Sequence, residues 1–336
     1  MSTPTDQRTH NPPDLSYPSG AVLALPAGAP EADWHAARAA GLGGSDMAAI
    51  CGLNPYTSPL EIWFTKIGQR VPRADNPTLE ESALMGHLLE PVVAQRFTDL
   101  TGLPAIDNPG TLRRPDIPWA LVNLDRATVQ DDTTGALELK TRSSYALNDW
   151  LEEPPTDVQI QTQWQMCVTG WAFAYVACLI GGQRTLVHRI ERDEQMIANL
   201  LEIGAEFWEQ VTTRTQPPID GSAATGDLLD RLHANPTDEV IVGDAAEVEG
   251  WLTQCARAKE QIAAANIALT DAENHLKAIC GDATEVHIRG EKAYSWRPRR
   301  GQISWKSVAL ELDPDVNPEP HRGKPTRTLT VHLENL

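Results

Sequence analysis

The sequence contains no Cys-x-x-Cys pair. Its five cysteines, Cys51, Cys167, Cys178, Cys255 and Cys280, lie far apart. Zinc ribbons, thiol redox motifs and iron–sulfur clusters all need clustered thiolates, so none is expected. An odd cysteine count in a chain of this length suits a reducing cytoplasm. No run of eighteen apolar residues occurs, so no membrane span is expected. The opening MSTPTDQRTHNPPDLSYPSG lacks a basic start followed by an apolar stretch, so it does not read as a secretory signal. Cations are also short: 28 Lys and Arg stand against 46 Asp and Glu, a formal net charge of −18. That deficit argues against a nucleic-acid partner, because phosphate binding needs Lys and Arg. Net charge sums the whole surface, however, while DNA meets one face, and an acidic metal site adds negative charge by itself.

At 336 residues the chain is long for one core, so one large domain with a smaller appendage is expected. Residues 1–30 are polar and Pro-rich and read as a disordered tail. Helical patterns follow over Trp34–Arg38, Met47–Cys51 with Ser45-Asp46 as its cap, Pro59–Ile67, and Glu80–Leu100 with apolar Leu84, Leu88, Val92 and Phe97. Ala120–Asp125 and Gly135–Lys140 read as two strands joined by the turn Asp131–Gly135. Asp157–Thr169 reads as a helix, Phe173–Ile180 and Leu186–Ile190 as strands, and Asp193–Thr213 as a closing helix. Residues 31–216 thus form the expected core, and 217–243, opening on Pro217-Pro218, the expected linker. In the accessory region 244–336, Asp244–Ile279 is a long helix. Val248, Cys255, Ile262, Leu269 and Leu276 recur every seven residues, with Trp251, Ala258, Ala265, Ala272 and Ile279 three positions on. This a/d seam wants a helical partner, either within the chain or from another subunit. Val286–Lys306 reads as a β-hairpin.

The chemistry concentrates in Asp125, Glu138 and Lys140. Alternation puts Glu138 and Lys140 on one strand face, and a hairpin can bring Asp125 beside them. Two adjacent carboxylates repel, so a divalent cation is their natural neutraliser, and hard oxygen donors select Mg²⁺ or Mn²⁺. An ammonium beside that site can hold a water nucleophile or the scissile phosphate, as a metal-assisted phosphodiesterase needs. Glu90, one turn after His87, is either a third inward carboxylate or a surface group favoured by the helix dipole.

Five ordered segments carry a resemblance. They are Arg38–Ser58 with Trp63 and Lys66-Ile67-Gly68; Met85–Pro91; Asn123–Arg126; Leu137–Lys140; and the glutamine-rich Gln161–Gly170. Over about residues 34–213 the sequence resembles the YqaJ-like viral recombinases, relatives of lambda exonuclease within the PD-(D/E)xK nuclease fold. The resemblance implies an α/β fold: a restriction-endonuclease-like core with a small mixed sheet flanked by helices, here with a C-terminal long helix and hairpin appended. It implies Mg²⁺ held by Asp125 and Glu138, with the Leu139 carbonyl and Glu90 completing the shells, and Lys140 positioning water and stabilising transition-state charge. Gln161 or Gln163 would orient a ligand or Lys140 from the next helix. Helical spacing itself puts Gln161 and Gln165 on one side and Gln163 away from them. Arg38 and Ser45 match positions that contact the 5′-terminal phosphate, a sensible use of a guanidinium fork and a hydroxyl, although Ser45 also reads as a simple cap. The sequence departs from the pattern at Asn123, where lambda exonuclease has a serine in its phosphate pocket, and lacks the later pocket arginine, for which Arg142 stands as substitute.

Outside the resemblance, Arg289–Lys306 is the most basic stretch. Arg297, Arg299 and Arg300 lie among Tyr294, Trp296 and Trp305, which suits a nucleic-acid strand or an ordinary exposed hairpin. The expected activity is Mg²⁺-dependent 5′→3′ resection of duplex DNA ends in a host cytoplasm. The exposed 3′ strands would pass to a single-strand annealing protein, and the enzyme would work as a homotrimeric ring by resemblance. The rival readings are a structure-specific endonuclease and a non-catalytic DNA-end-binding module.

Overall fold

A computed structural model of the protein describes residues 15–72, 76–313 and 315–322. The chain divides into two compact units, 1–234 and 235–336.

The first unit opens with strand β1 (Val22–Pro26) and helix α1 (Glu31–Ala39). Helix α2 (Gly44–Ile50) starts at Gly43, whose N–H donates to the Asp46 carboxylate at 2.9 Å, so Ser45 lies inside the first turn and is not the cap. In helix α3 (Pro59–Lys66) the Ser58 hydroxyl accepts from the Glu61 N–H at 3.2 Å and proline opens the first turn, both ordinary start signals. Helix α4 (Pro77–Thr101) is capped by Asn76 and stops at Gly102, whose φ of 73° favours glycine. Strands β2 (Ile106–Asp107), β3 (Gly110–Arg113), β4 (Leu121–Asn123), β5 (Arg126–Gln130) and β6 (Thr133–Arg142) follow. Helix α5 (Thr156–Thr169), strands β7 (Phe173–Ile180) and β8 (Arg184–Glu191), and helices α6 (Glu194–Thr213) and α7 (Ala223–Leu232) complete the unit.

The larger sheet has the order β2-β5-β6-β7-β8, with β6 and β7 parallel and the other neighbours antiparallel. A smaller antiparallel sheet has the order β1-β3-β4. This is the expected mixed sheet between helices. On one face, Val93, Ala94 and Phe97 of α4 pack with Leu137, Leu139, Ala177 and Leu179. On the other face, Val158 of α5 and Trp150 meet Val176, Cys178 and Ile180. The two-residue period of β6 therefore sends Leu137 and Leu139 to α4, and Glu138 and Lys140 the opposite way.

Several expectations are revised. Asp125 is not on a strand paired with Gly135–Lys140. It lies in the crossing from β4, in the small sheet, to β5, in the large one. The reason is the turn: Asp131 and Asp132 both take positive φ (48° and 59°), a two-residue hairpin geometry, so the partner of β6 must end at Gln130. In α4, Leu84, Leu88 and Val92 are exposed, because burial is confined to the residues 93–97 that face the sheet. Part of the expected tail is ordered: β1 covers the free edge of β3, and the Trp171 indole donates to the Ser16 carbonyl at 2.9 Å. Residues 1–14 lie outside the described residues. The expected linker contains α7, which buries Ala224, Thr225 and Leu228 and ties Arg231 to Glu61 at 2.6 Å.

The second unit holds helix α8 (Ala245–Cys280), strands β9 (Glu285–Ile288) and β10 (Glu291–Ser295), and helix α9 (Trp305–Leu312). The expected hairpin to Lys306 stops early. Pro298 has no N–H for the ladder, and Trp305 and Lys306 open a helix instead.

Trp164 ties the small sheet to α5. It is fully buried, and its indole N–H donates to the carbonyls of Leu42 (3.1 Å) and Leu121 (2.9 Å). Trp164→Ala should cost about 3–5 kcal/mol by urea unfolding. A loss near zero would show that this tryptophan does not join the two layers.

Candidate active site

Glu138 is the centre of the site. It sits mid-strand on β6 and is 1% exposed. A buried carboxylate is tolerated only when its lone pairs are satisfied, and three donors do this. Lys140 Nζ and Gln161 Nε2 (2.7 Å) donate to Oε1, and Gln165 Nε2 donates to Oε2. Gln161 Oε1 also accepts from Lys140 Nζ at 3.0 Å, closing a ring of three side chains. The glutamines reach together because residues four apart share a helix face. Helix α2 comes close enough to frame them because residue 44 is glycine: a Cβ there would lie 2.9 Å from Gln161 Cγ.

Burial works to lower the Lys140 pKa. The Glu138 and Asp125 carboxylates outweigh it and hold the ammonium above its ordinary value. Asp125 shows the reverse balance: burial first, then the Glu138 charge, push its carboxyl up to about 8, against the pull of Lys140 and of the Leu139 N–H that donates to Oδ2 at 2.8 Å. The crossing between the sheets thus delivers Asp125 to the Glu138–Lys140 edge of β6, although not by the expected hairpin.

Other expected site residues are placed differently. Glu90 lines the same cleft, of about 860 Å³, but its carboxylate is held by Arg126 Nη1 at 2.7 Å. Gln163 faces away: it donates to the Glu191 carbonyl (2.8 Å) and accepts from the Asp193 N–H (3.0 Å), so it secures the start of α6 and does not enter the site. Arg142 lines the cleft with its guanidinium over the Trp150 ring, 5.6 Å from the centroid. Arg38 and Ser45 line a small adjoining cavity of about 110 Å³ with Trp34, Asn123, Gln161 and Gln165. Ser45 and Gln161 border both spaces. Arg297, Arg299 and Arg300 belong to the second unit, where Arg297 pairs with Glu285.

Sequence reasoning passed over four contributors. Gln165 carries the same weight as Gln161, and its position one turn later was the available signal. Arg126 occupies Glu90. Asp46 and Lys66 form a buried ion pair at 2.7 Å beneath Arg38, whose carbonyl also accepts from Lys66 Nζ at 2.7 Å and whose guanidinium reaches Asp46 at 3.4 Å. Burial lowers the Lys66 pKa, and Asp46 opposes it. Nothing local in the sequence marks that pair, since its members are twenty residues apart.

Two carboxylates and a strand backbone converge here. Among the described residues no third His, Cys, Asp or Glu joins them as a ready-made cage. All-oxygen donors with few protein ligands suit Mg²⁺, which binds through one or two carboxylates and keeps several waters. The raised Asp125 records the uncompensated charge that a dication would relieve. Asp125, Glu138 and the Leu139 carbonyl are the residues that would hold it.

The Asp125 shift sets a stability prediction. An unfolded aspartate titrates near 3.9 and the folded one at about 8. Between those values the native state binds the extra proton, so stability falls as pH rises from about 4 to about 8. In EDTA, Asp125→Asn should melt higher than wild type at pH 8, and the gain should shrink as pH falls and vanish near pH 4. A variant melting lower at pH 8 would show the charged carboxylate to be stabilising.

A family model of the YqaJ-like viral recombinase domain matches residues 33–172. The uncharacterized protein YqaJ of Bacillus subtilis (strain 168) is 33% identical over 270 residues, spanning 79% of this chain and 83% of the relative. Among solved structures, an alkaline exonuclease (LHK-Exo) from Laribacter hongkongensis is 21% identical with a TM-score of 0.45, over 55% of this chain and 93% of its own. SSO0001 is 14% identical with a TM-score of 0.30, over 53% and 78%. By the identity and length it shares with the Bacillus relative, and by the domain matched within it, the chain belongs to the YqaJ-like viral recombinase family.

Proposed function

We propose that this protein is a Mg²⁺-dependent DNA exonuclease that resects duplex ends 5′→3′ for recombination by strand annealing. The observation that carries this reading is the closed Glu138–Lys140–Gln161 network beside Asp125. Bound Mg²⁺ would act as a Lewis acid and lower the pKa of a coordinated water. The protein's own groups supply the rest. Lys140, kept charged by its two carboxylate neighbours, donates to the attacking water or to a phosphate oxygen and offsets charge as it develops there. Gln161 and Gln165 hold Glu138 so that its free lone pairs keep one direction.

Arg38 and Ser45 seat the terminal 5′-phosphate in the small cavity, and the cleft it adjoins receives the scissile bond. The Asp46–Lys66 pair fixes the backbone beneath Arg38. Arg38 at the small cavity and Lys140 and Arg142 in the cleft supply local cations in an otherwise acidic chain, while Arg126 is paired with Glu90 and Asp107. Arg299 and Arg300, beside exposed Trp296 and Trp305, offer strand contacts on the second unit. The product 3′ strand passes to a single-strand annealing protein, and the family resemblance favours a homotrimeric enzyme.

The test is digestion of linear duplex DNA, 5′-phosphorylated or 5′-hydroxyl and labelled at either end, beside closed circles. Loss should proceed from 5′ ends, stop with EDTA, spare circles and fall about 10²–10³-fold in Lys140→Ala. Cutting of circles would transfer the assignment to an endonuclease, and end binding without cleavage to an adaptor module. Arg38→Ala should erase the preference for phosphorylated over hydroxyl ends while leaving Mg²⁺ dependence intact. Retained preference would remove Arg38 from the phosphate site.

A further inference from the structure

Within the second unit the seam of α8 is largely exposed, with Cys255 half-buried. Only Cys280 of the helix is buried, while Trp251, Ile262, Leu269 and Ile279 are each about 60–70% exposed. A continuous apolar stripe of this kind on a charged helix marks an association surface. The sequence period identifies the geometry, a left-handed coiled coil, and the residues at each position identify the occupant.

We infer that α8 pairs with α8 of a second copy of this chain in antiparallel register, Leu269 of one copy facing Ala265 of the other. This goes beyond the nuclease reading and does not depend on it; if the nuclease units form the homotrimer proposed above, the two-fold α8 contact joins one trimer to another. In this register Ile262 faces Ala272, Leu276 faces Ala258 and Cys255 faces Ile279, so every alanine of the overlap meets a large side chain. The overlap is roughly 40 Å long. A parallel pair would instead stack alanine on alanine in three layers and leave voids. The flanks agree. Exposed Lys259 of each copy meets exposed Glu273 of the other, twice by symmetry. A parallel pair sets Gln254 beside Lys259 and Ala268 beside Glu273, with no opposite charges facing. Glu273 has only a loose partner of its own, Lys277 at 3.9 Å. One helix thus offers large knobs, small holes and both charges, related by a two-fold axis, which is the property of a self-complementary surface.

Sedimentation of the full chain tests the inference. The protein should associate through α8, and Ile262→Glu with Leu269→Glu should abolish that step with helicity unchanged by circular dichroism, since both sites are exposed. Lys259→Glu should weaken association about tenfold, and Lys259→Glu with Glu273→Lys should restore it. Three results would overturn the inference: a 36.8 kDa monomer at the highest soluble concentration, an assembly whose mass ignores the double glutamate variant, or a charge reversal that the second reversal fails to rescue. A monomer would assign the seam to a partner within the chain or to a different protein, and an indifferent assembly would place the subunit contact elsewhere.

Discussion

The buried carboxylate of Glu138 governs the organisation of the first unit. A charge at 1% exposure in the middle of a strand is admissible only with its lone pairs occupied. That requirement selects a lysine two residues on, glutamines four apart on a facing helix, and a glycine where the next helix approaches. Each demand falls on a different element. β6 must be central, α5 must lie across its polar face, and α2 must pass close at Gly44. The hydrophobic residues of β6 serve the same arrangement from the other side, since Leu137 and Leu139 anchor the strand to α4.

The balance of charge at this centre is deliberate and uneven. Glu138 has three donors, whereas Asp125 has one backbone N–H and a like-charged neighbour. Active sites commonly keep such strain because it is relieved by what they bind. At the adjoining small cavity the opposite choice is made: Asp46 and Lys66 neutralise each other in the interior and carry the backbone of Arg38. The cleft itself carries both signs: Lys140 and Arg142 line it together with Glu90, Asp125, Glu138 and Asp157.

Much of this was legible from local pattern. The strand Phe173–Ile180 has its sequence-read bounds, and Glu138 and Lys140 share a face as alternation requires. The long helix from Asp244 was readable from its cap and its heptads. The sequence brings Asp125 to the Glu138–Lys140 edge but not its setting, since the strand before it belongs to one sheet and the strand after it to another. The resemblance leaves Gln161 or Gln163 to face the site, while helical spacing already separates Gln163 from Gln161 and Gln165, and the structure turns Gln163 away. For Glu90 the sequence leaves an inward carboxylate and a surface group as alternatives, because the arginine that pairs with it, Arg126, is 36 residues away.

The sequence by itself determined the periodic features: which residues alternate on β6, which four-residue steps align on α5, and which seven-residue steps line α8. Those follow from backbone geometry that every residue shares. The tertiary structure alone decided which carboxylates meet and which ion pairs form, and it also decided that the stretch after residue 216 folds back as α7. These depend on contacts between distant segments, whose energies arise only once the layers have packed.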